Sequence, residues 1–399
     1  MATSIIITLS VLLLLAYLFD ITASKTKVPS VIMLLLMGFV VKALSEKMDI
    51  EIPNLDEVLP LLGTVGLILI VLEGALELEI NRHKFRLVLN ASLVALFPLL
   101  LVSTGIALYL NYFEQVPLKS ALANAIPIGI ISSAIAIPSA KNLIQNQKEF
   151  ITYESSLSDI FGVLFFNFIV LNNDINSSSF LTFSVELIVM LVISFVATLL
   201  LALLLGHIKH HIKYLPLVIL VILIYAISKV FHLPALIFIL LFGLFVGNID
   251  ELRHLKFINR FHPENFSAEV HKFKEITTEL AFLVRALFFI LFGFLLKLSD
   301  MLNTSTILPA IGFTAGIFLL RWIILKLFKY PANPLVYIAP RGLITILLFL
   351  SIPASQRILE VDQALITQMI LLSALVMMFG LMQYKKPLTP SIDESNPTI

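Results

Sequence analysis

The feature that most limits what this chain can become is its succession of apolar runs. Each is about 17–25 residues long, the length at which a helix crosses a bilayer core. Thirteen can be marked. The first six lie at roughly 3–20, 28–44, 58–80, 86–110, 118–142 and 150–171, and the next three at 180–206, 214–230 and 233–248. The last four lie at 276–298, 306–328, 333–355 and 362–383. The chain is 59% hydrophobic and 13% charged, and a soluble protein of 399 residues could not bury that much apolar surface. The fold expected is an all-α polytopic membrane protein of about 13 transmembrane helices, forming one transporter-like domain over 1–383.

The basic residues test this count. Lys and Arg gather on the cytoplasmic side of membrane proteins, and an odd number of spans puts the termini on opposite sides. With the N-terminus outside, eighteen of the 27 Lys and Arg fall in inward segments, six in outward ones, and three within spans. The expected orientation is N-terminus out and C-terminus cytoplasmic, in a bacterial inner (cell) membrane. The first run, Ile5 to Phe19, has no basic residue before it and no small-residue cleavage pattern after it, so it reads as a retained span rather than a signal peptide. The long polar connection Ile249 to Glu275 is amphipathic and is expected to lie at the membrane surface. Residues 384–399 are expected to be a short, disordered cytoplasmic tail.

Composition also excludes chemistry. There is no cysteine, hence no disulfide, thiolate metal site or cysteine nucleophile. A net charge of +1 offers no basic face for nucleic acid. No histidine lies within a span, and His207, His210 and His211, between the seventh and eighth spans, read as a solvated loop. No HExxH, GxSxG or nucleotide-binding loop is present, so neither an enzyme nor a cofactor is expected.

An ionisable side chain in hydrocarbon costs at least about 2.5–3.5 kcal/mol, so those deep in spans are candidates for function. The sixth span opens Tyr153-Glu154-Ser155-Ser156-Leu157-Ser158-Asp159. Ser155 and Asp159, four apart, share a helix face. Glu154 lies about 7.5 Å before Asp159 along the axis and on another face. Ser and Asp also cap helices, but apolar residues flank this segment and a long apolar run follows Asp159. The fifth span holds Ser132-Ser133-Ala134-Ile135-Ala136-Ile137-Pro138. Pro138 has no N–H and frees the carbonyl of Ala134, so the break in this span is expected there. Serine hydroxyls and freed carbonyls are hard oxygen ligands for a monovalent cation, which makes Ser133 and Ala134 candidates alongside Asp159, Ser155 and Ser158. The twelfth span carries a matching interruption at Ala339-Pro340-Arg341-Gly342. Interrupted helices in corresponding places of two halves point to a transporter site. Arg321, in the middle of the eleventh span, needs an anion, and Glu154 is the expected partner. Arg285 is expected to pair with Glu279 or Glu73; Arg341, Arg285 and Glu73 are further candidates on the ion path. Glu73 and Glu77 approach the inner end of the third span and are expected to meet water, and Glu186 to snorkel outward.

A faint repeat joins the third span (Leu72-Glu73-Gly74-Ala75-Leu76) to the tenth (Leu291-Phe292-Gly293-Phe294-Leu295). Seven spans apart, the two helices cross in opposite directions, as an inverted repeat of spans 1–6 and 8–13 requires.

These residues resemble the cation/proton antiporter superfamily, nearest its NhaP and sodium/proton exchanger branch, along almost the whole chain. Glu154-Ser155-Ser156-Leu157-Ser158-Asp159 is similar to the family's Glu-Ser-Leu-Leu-Asn-Asp, which implies that Asp159 binds the ion. Arg321 matches the family's buried basic residue, Arg341-Gly342 its Arg-Gly pair at the second break, and Phe288-Phe289-Ile290-Leu291-Phe292-Gly293 its Phe-Phe-x-x-x-Gly. There are two departures. The family's Asn before the aspartate is Ser158, and its Thr-Asp-Pro of the fifth span appears as Ser133-Ala134-Ile135, without the second acid. The resemblance implies an NhaA/NhaP-like fold with two interrupted helices that cross. It also implies a homodimer, with a moving core of spans 4–6 (about 86–171) and 11–13 (about 306–383) and a dimerisation scaffold of spans 1–3 (about 3–80) and 7–10 (about 180–298). The function expected is exchange of Na⁺ (or Li⁺ or K⁺) for H⁺ by alternating access. With one titrating acid the exchange is expected to be electroneutral. A sodium-coupled solute symporter on a related fold is the alternative; it would need a lined cavity for an organic substrate.

Overall fold

The structure, a computed structural model, describes residues 2–26, 28–48, 58–78, 84–172, 177–207, 214–231, 233, 235–248 and 263–384. Among them there is no strand. This follows from the solvent: hydrocarbon offers no partner to backbone N–H and C=O, so an apolar segment closes its own ladder.

Each of the thirteen expected spans has a helix, or a pair of half-helices, in its place. The first four are α1 (Ala2–Thr26), α2 (Ser30–Lys47), α3 (Val58–Glu77) and α4 (Phe85–Phe113). The fifth is split into α5 (Leu118–Gly129) and α6 (Ser133–Ser139), and the sixth is α7 (Gln145–Leu171). Then come α8 (Ser177–His207), α9 (Tyr214–Val230), α10 (Leu236–Gly247) and α11 (Pro263–Leu295). A one-turn α12 (Leu298–Met301) leads into α13 (Thr304–Leu327). The twelfth span is again split, into α14 (Ala332–Leu335) and α15 (Leu343–Ser351), and α16 (Gln363–Gln383) is the last.

Two expectations are corrected. The break in the fifth span is not at Pro138, which sits inside α6. It lies at 130–132, where Ile130 and Ser132 are extended. Proline removes one donor near the end of a short helix, which that helix tolerates, whereas the real break is made by partners from elsewhere in the chain. The second correction concerns the polar connection before the tenth span. From Pro263 onward it is the first half of α11 rather than a surface segment. Phe273 is fully buried, with its ring edge-on to Phe242 of α10 at 6.0 Å. The amphipathic pattern was therefore that of a helix packed on one side. Residues 249–262, His210 and His211, and the tail after Tyr384 lie outside the described residues.

The helices pack in two groups. In one, α2 and α3 lie on α11 and α10 lies on α3, with α1, α8 and α9 at the margins. In the other, α4 packs on α5, α7 and α13, and α13 on α16. The groups meet where α3 runs against α6, α7 and α15.

Between apolar helices in lipid, association rests on close backbone approach rather than on burial from water. Gly38 of α2 faces Gly293 of α11. A Cβ on Gly38 would sit 2.0 Å from the Ile290 carbonyl oxygen, and one on Gly293 2.2 Å from that of Leu35. On the other side of the group, Gly243 of α10 would bring a Cβ to 2.5 Å from the Cβ of Ala75 on α3. The second span thus packs on the tenth and the ninth on the third, and these two contacts exchange under the inverted repeat.

Gly38→Leu is expected to prevent the α2–α11 contact. It is an overpacking change, which typically costs about 1–3 kcal/mol and more where backbone must move. The measurement is the unfolding temperature of purified protein in detergent.

Candidate ion site at the helix crossing

The two breaks cross each other. The Ser132 N–H donates to the Pro340 carbonyl at 2.9 Å. The end of α5 leaves carbonyls without helical donors, and Arg341 supplies them. Its Nε donates to Ile128 O at 2.7 Å and its Nη2 to Gly129 O at 3.3 Å, while Nη1 closes onto Ala339 O at 2.6 Å. The backbone N–H of Arg341 donates in turn to Ser373 Oγ of α16 at 3.0 Å. Gly342 makes the approach feasible: a Cβ there would lie 2.6 Å from Ile135 Cδ1 and 2.9 Å from Ser132 Oγ. Arg341 therefore holds the crossing together through its whole guanidinium. A guanidinium stays cationic and presents a planar fork, so it suits the dipole at a helix C-terminus.

Asp159 comes to this crossing from α7. It is buried, and its Oδ2 accepts from the hydroxyl of Ser133, the first residue of α6, whose backbone N–H is also turned towards the carboxylate. Its Oδ1 is buried and has no hydrogen-bond partner among the described residues. The serines expected around it have different tasks. Ser158 Oγ accepts from the Ile131 N–H at 3.0 Å, satisfying a donor that the break exposes. Ser155 Oγ donates back to Ile151 O within α7 at 2.7 Å. Ala134 is buried, but no hydrogen bond joins it to Asp159 among the described residues; the fifth-span residue that faces the carboxylate is Ser133.

The expected pairing of Glu154 with Arg321 is present. Nη1 and Nη2 donate to Oε1 and Oε2 at 2.5 and 2.8 Å, and Nε donates to Leu335 O of α14 at 2.9 Å. Both residues are buried. The pair ties α7, α13 and α14 together and engages both oxygens of Glu154. Arg285 meets Glu73, not Glu279, at 3.7 Å. That half-buried pair joins α11 to α3 away from the crossing, and Glu73 is drawn inward while Glu77 is exposed.

Sequence reasoning missed three participants: Ser132, whose N–H makes the crossing bond, Ser373, which receives the Arg341 N–H, and Leu335, whose carbonyl holds Arg321. Backbone groups and lone serines leave no pattern to find.

A sequence model of the transmembrane sodium/hydrogen exchanger family matches residues 10–383. The chain belongs to that family. Its activity is cation/proton antiport, carried out by an integral membrane transporter of the branch its motifs resemble. Two structures of the sodium proton antiporter MjNhaP1 from Methanocaldococcus jannaschii share the exchanger's fold. One, determined at pH 8, superposes with a TM-score of 0.69 at 20% identity, covering 95% of this chain and 99% of that one. The other, an electron-microscopy map, gives 0.66 at 20% identity over 96% and 99%. No curated protein matches the exchanger.

Removing one member of a buried ion pair leaves an uncompensated charge, at a cost of about 3–5 kcal/mol. Arg321→Met alone is therefore expected to lower the unfolding temperature sharply. Adding Glu154→Gln in the same chain is expected to restore most of the loss. Thermal unfolding of the two single variants and the double variant measures both.

Proposed function

We propose that the exchanger moves one Na⁺ against one H⁺, and that Asp159 carries both in turn. The observation that supports this is the unequal use of the two buried carboxylates on α7. Arg321 occupies both oxygens of Glu154, whereas Asp159 keeps Oδ1 unpartnered at the crossing. A proton on Asp159 neutralises the carboxylate and leaves no charge for a cation. A cation on Oδ1 needs the carboxylate ionised. The two substrates therefore exclude each other. When only loaded forms cross, each turn carries one H⁺ out of the site for one cation in.

The stoichiometry follows from the partner across the crossing. A second acid facing Asp159 would add a charge to every cycle, but Ser133 stands there, so the exchange is electroneutral. Ser133 orients the carboxylate, Ser158 holds the unwound segment open, and the hydroxyl of Ser155, one turn before Asp159, lies on the same helix face. Arg341, Glu154 and Arg321 keep the crossing rigid.

Alternating access then moves the group built on α4–α7 and α13–α16 against the group built on α1–α3 and α8–α11. The second group also forms the homodimer, in a bacterial inner membrane with the N-terminus outside. The limited meeting surface along α3 supports sliding. At Gly74, a Cβ would be 3.1 Å from Ser156 Oγ and 3.7 Å from Ile137 Cδ1, so α3 presents no side chain to α6 and α7 at that point.

Asp159→Asn is expected to abolish cation-dependent pH change in inverted vesicles while leaving the unfolding temperature near that of the parent, since an amide oxygen still accepts from Ser133 and no charge is left buried. Retained exchange would remove Asp159 from the mechanism. In proteoliposomes, Na⁺/H⁺ exchange is expected at the same rate with the membrane potential clamped at zero or at a large negative value. A potential-dependent rate would sink the one-for-one reading.

A further inference from the structure

A cavity of about 560 Å³ opens at the end of the molecule where α4 and α7 begin and α13 ends. Its size falls within the range of small-ligand sites, roughly 300–1,000 Å³. Its lining includes exposed Lys329 and Asn146, half-buried Lys84 and Tyr330, and buried Gln147 and Phe150. The two rings lie 4.3 Å apart at 34° and form one aromatic surface. The lining also holds one carboxylate, Glu149, which Lys84 meets at 3.1 Å and Gln145 at 2.6 Å. Glu149 is engaged by Lys84, whereas Lys329 is exposed and makes no ion pair among the described residues.

Lys329 carries the second observation. The last turn of α13 closes with Lys329 N–H on Lys326 O at 3.0 Å and Tyr330 N–H on Leu325 O at 2.9 Å, the paired bonds of a Schellman end. The position between them takes a left-handed backbone, here with φ of 60° at Lys329. Glycine is the residue that suits it. A lysine is held there against backbone preference, beside a cavity whose lining includes amide side chains. Among the described residues only Gln115 shares this backbone without being glycine, and of the two it is Lys329 that lines the cavity.

We propose that this cavity binds a phosphate-bearing anion, with Lys84 and Lys329 on the phosphate and the Phe150–Tyr330 surface under the rest of the ligand. Two point charges and amide donors suit phosphate oxygens, and the aromatic surface suits an ester rather than a bare ion. The cavity also reaches the ion pair. Leu335 lines it, and the carbonyl of Leu335 holds Arg321, which holds Glu154. Occupancy therefore bears on the rate of exchange. That half rests on the antiport reading, whereas the binding half does not.

The test uses three probes: inorganic phosphate and adenosine monophosphate added to the full chain in detergent, and phosphatidylglycerol supplied in nanodiscs. Matched chloride and phosphatidylcholine are the controls. A saturable rise in unfolding temperature is expected with at least one probe, and the probe that acts distinguishes a soluble ester from a lipid headgroup. Lys329→Gly relieves the backbone and is expected to fold at least as well as the parent, yet to weaken binding about tenfold or more, the effect of one lost charge contact. Lys329→Arg is expected to retain binding. Absence of a saturable rise with every probe, or a rise that Lys329→Gly leaves unchanged, overturns the site. Binding that alters neither the exchange rate nor the cation KM in proteoliposomes overturns the link to Arg321.

Discussion

Arg341 reaches across the molecule to the carbonyls that α5 leaves open, and the architecture of the site depends on that reach. A helix that stops inside a bilayer exposes backbone groups whose desolvation costs several kcal/mol. Ile128 and Gly129 find their donors in the guanidinium, and the crossing segment returns a further bond from Ser132 to Pro340. Only because α5 can end there does α6 begin at Ser133, with its first N–H and hydroxyl turned to Asp159. Asp159, the broken helices and the buried arginine are thus one arrangement. α16 enters it through Ser373, which accepts the Arg341 N–H.

The same physics separates two carboxylates on one helix. Glu154 and Asp159 stand about 7.5 Å apart along the axis and face different neighbours. Glu154 meets a bidentate arginine, the strongest pairing available to it, and becomes a joint between α7, α13 and α14. Asp159 meets a serine that engages one oxygen. What separates the two acids is therefore what stands opposite each, since both are buried.

Around this centre the packing is uneven. Within the α2–α3–α10–α11 group, glycines bring backbones into direct contact, and such contacts tolerate no insertion. Across the boundary along α3, glycines meet leucines, Gly63 facing Leu347 and Gly66 facing Leu343, and the largely exposed ion pair Lys141–Asp20 spans 3.4 Å. Exposed pairs contribute little, about 0–1 kcal/mol, and exchange partners readily.

Most of the fold could be read along the chain, because the bilayer imposes length and polarity on every crossing segment and a buried charge demands a partner. The thirteen spans, the ion-pairing of Arg321 with Glu154, the break at Ala339–Gly342 and the place of Asp159 all follow from that. Other features needed the folded molecule. Pro138 drew attention to the wrong end of the fifth span, since the break at 130–132 is made by Arg341, Pro340 and Ser158, all distant in sequence. Ser133 rather than Ala134 faces Asp159, Ser155 turns back to Ile151, Arg285 chooses Glu73, and the polar stretch after Pro263 packs as helix. The sequence by itself determined which atoms must be satisfied in a medium that offers no water. The tertiary structure decided which atoms satisfy them, because a hydrogen bond across the molecule leaves no periodic trace in either of the segments it joins.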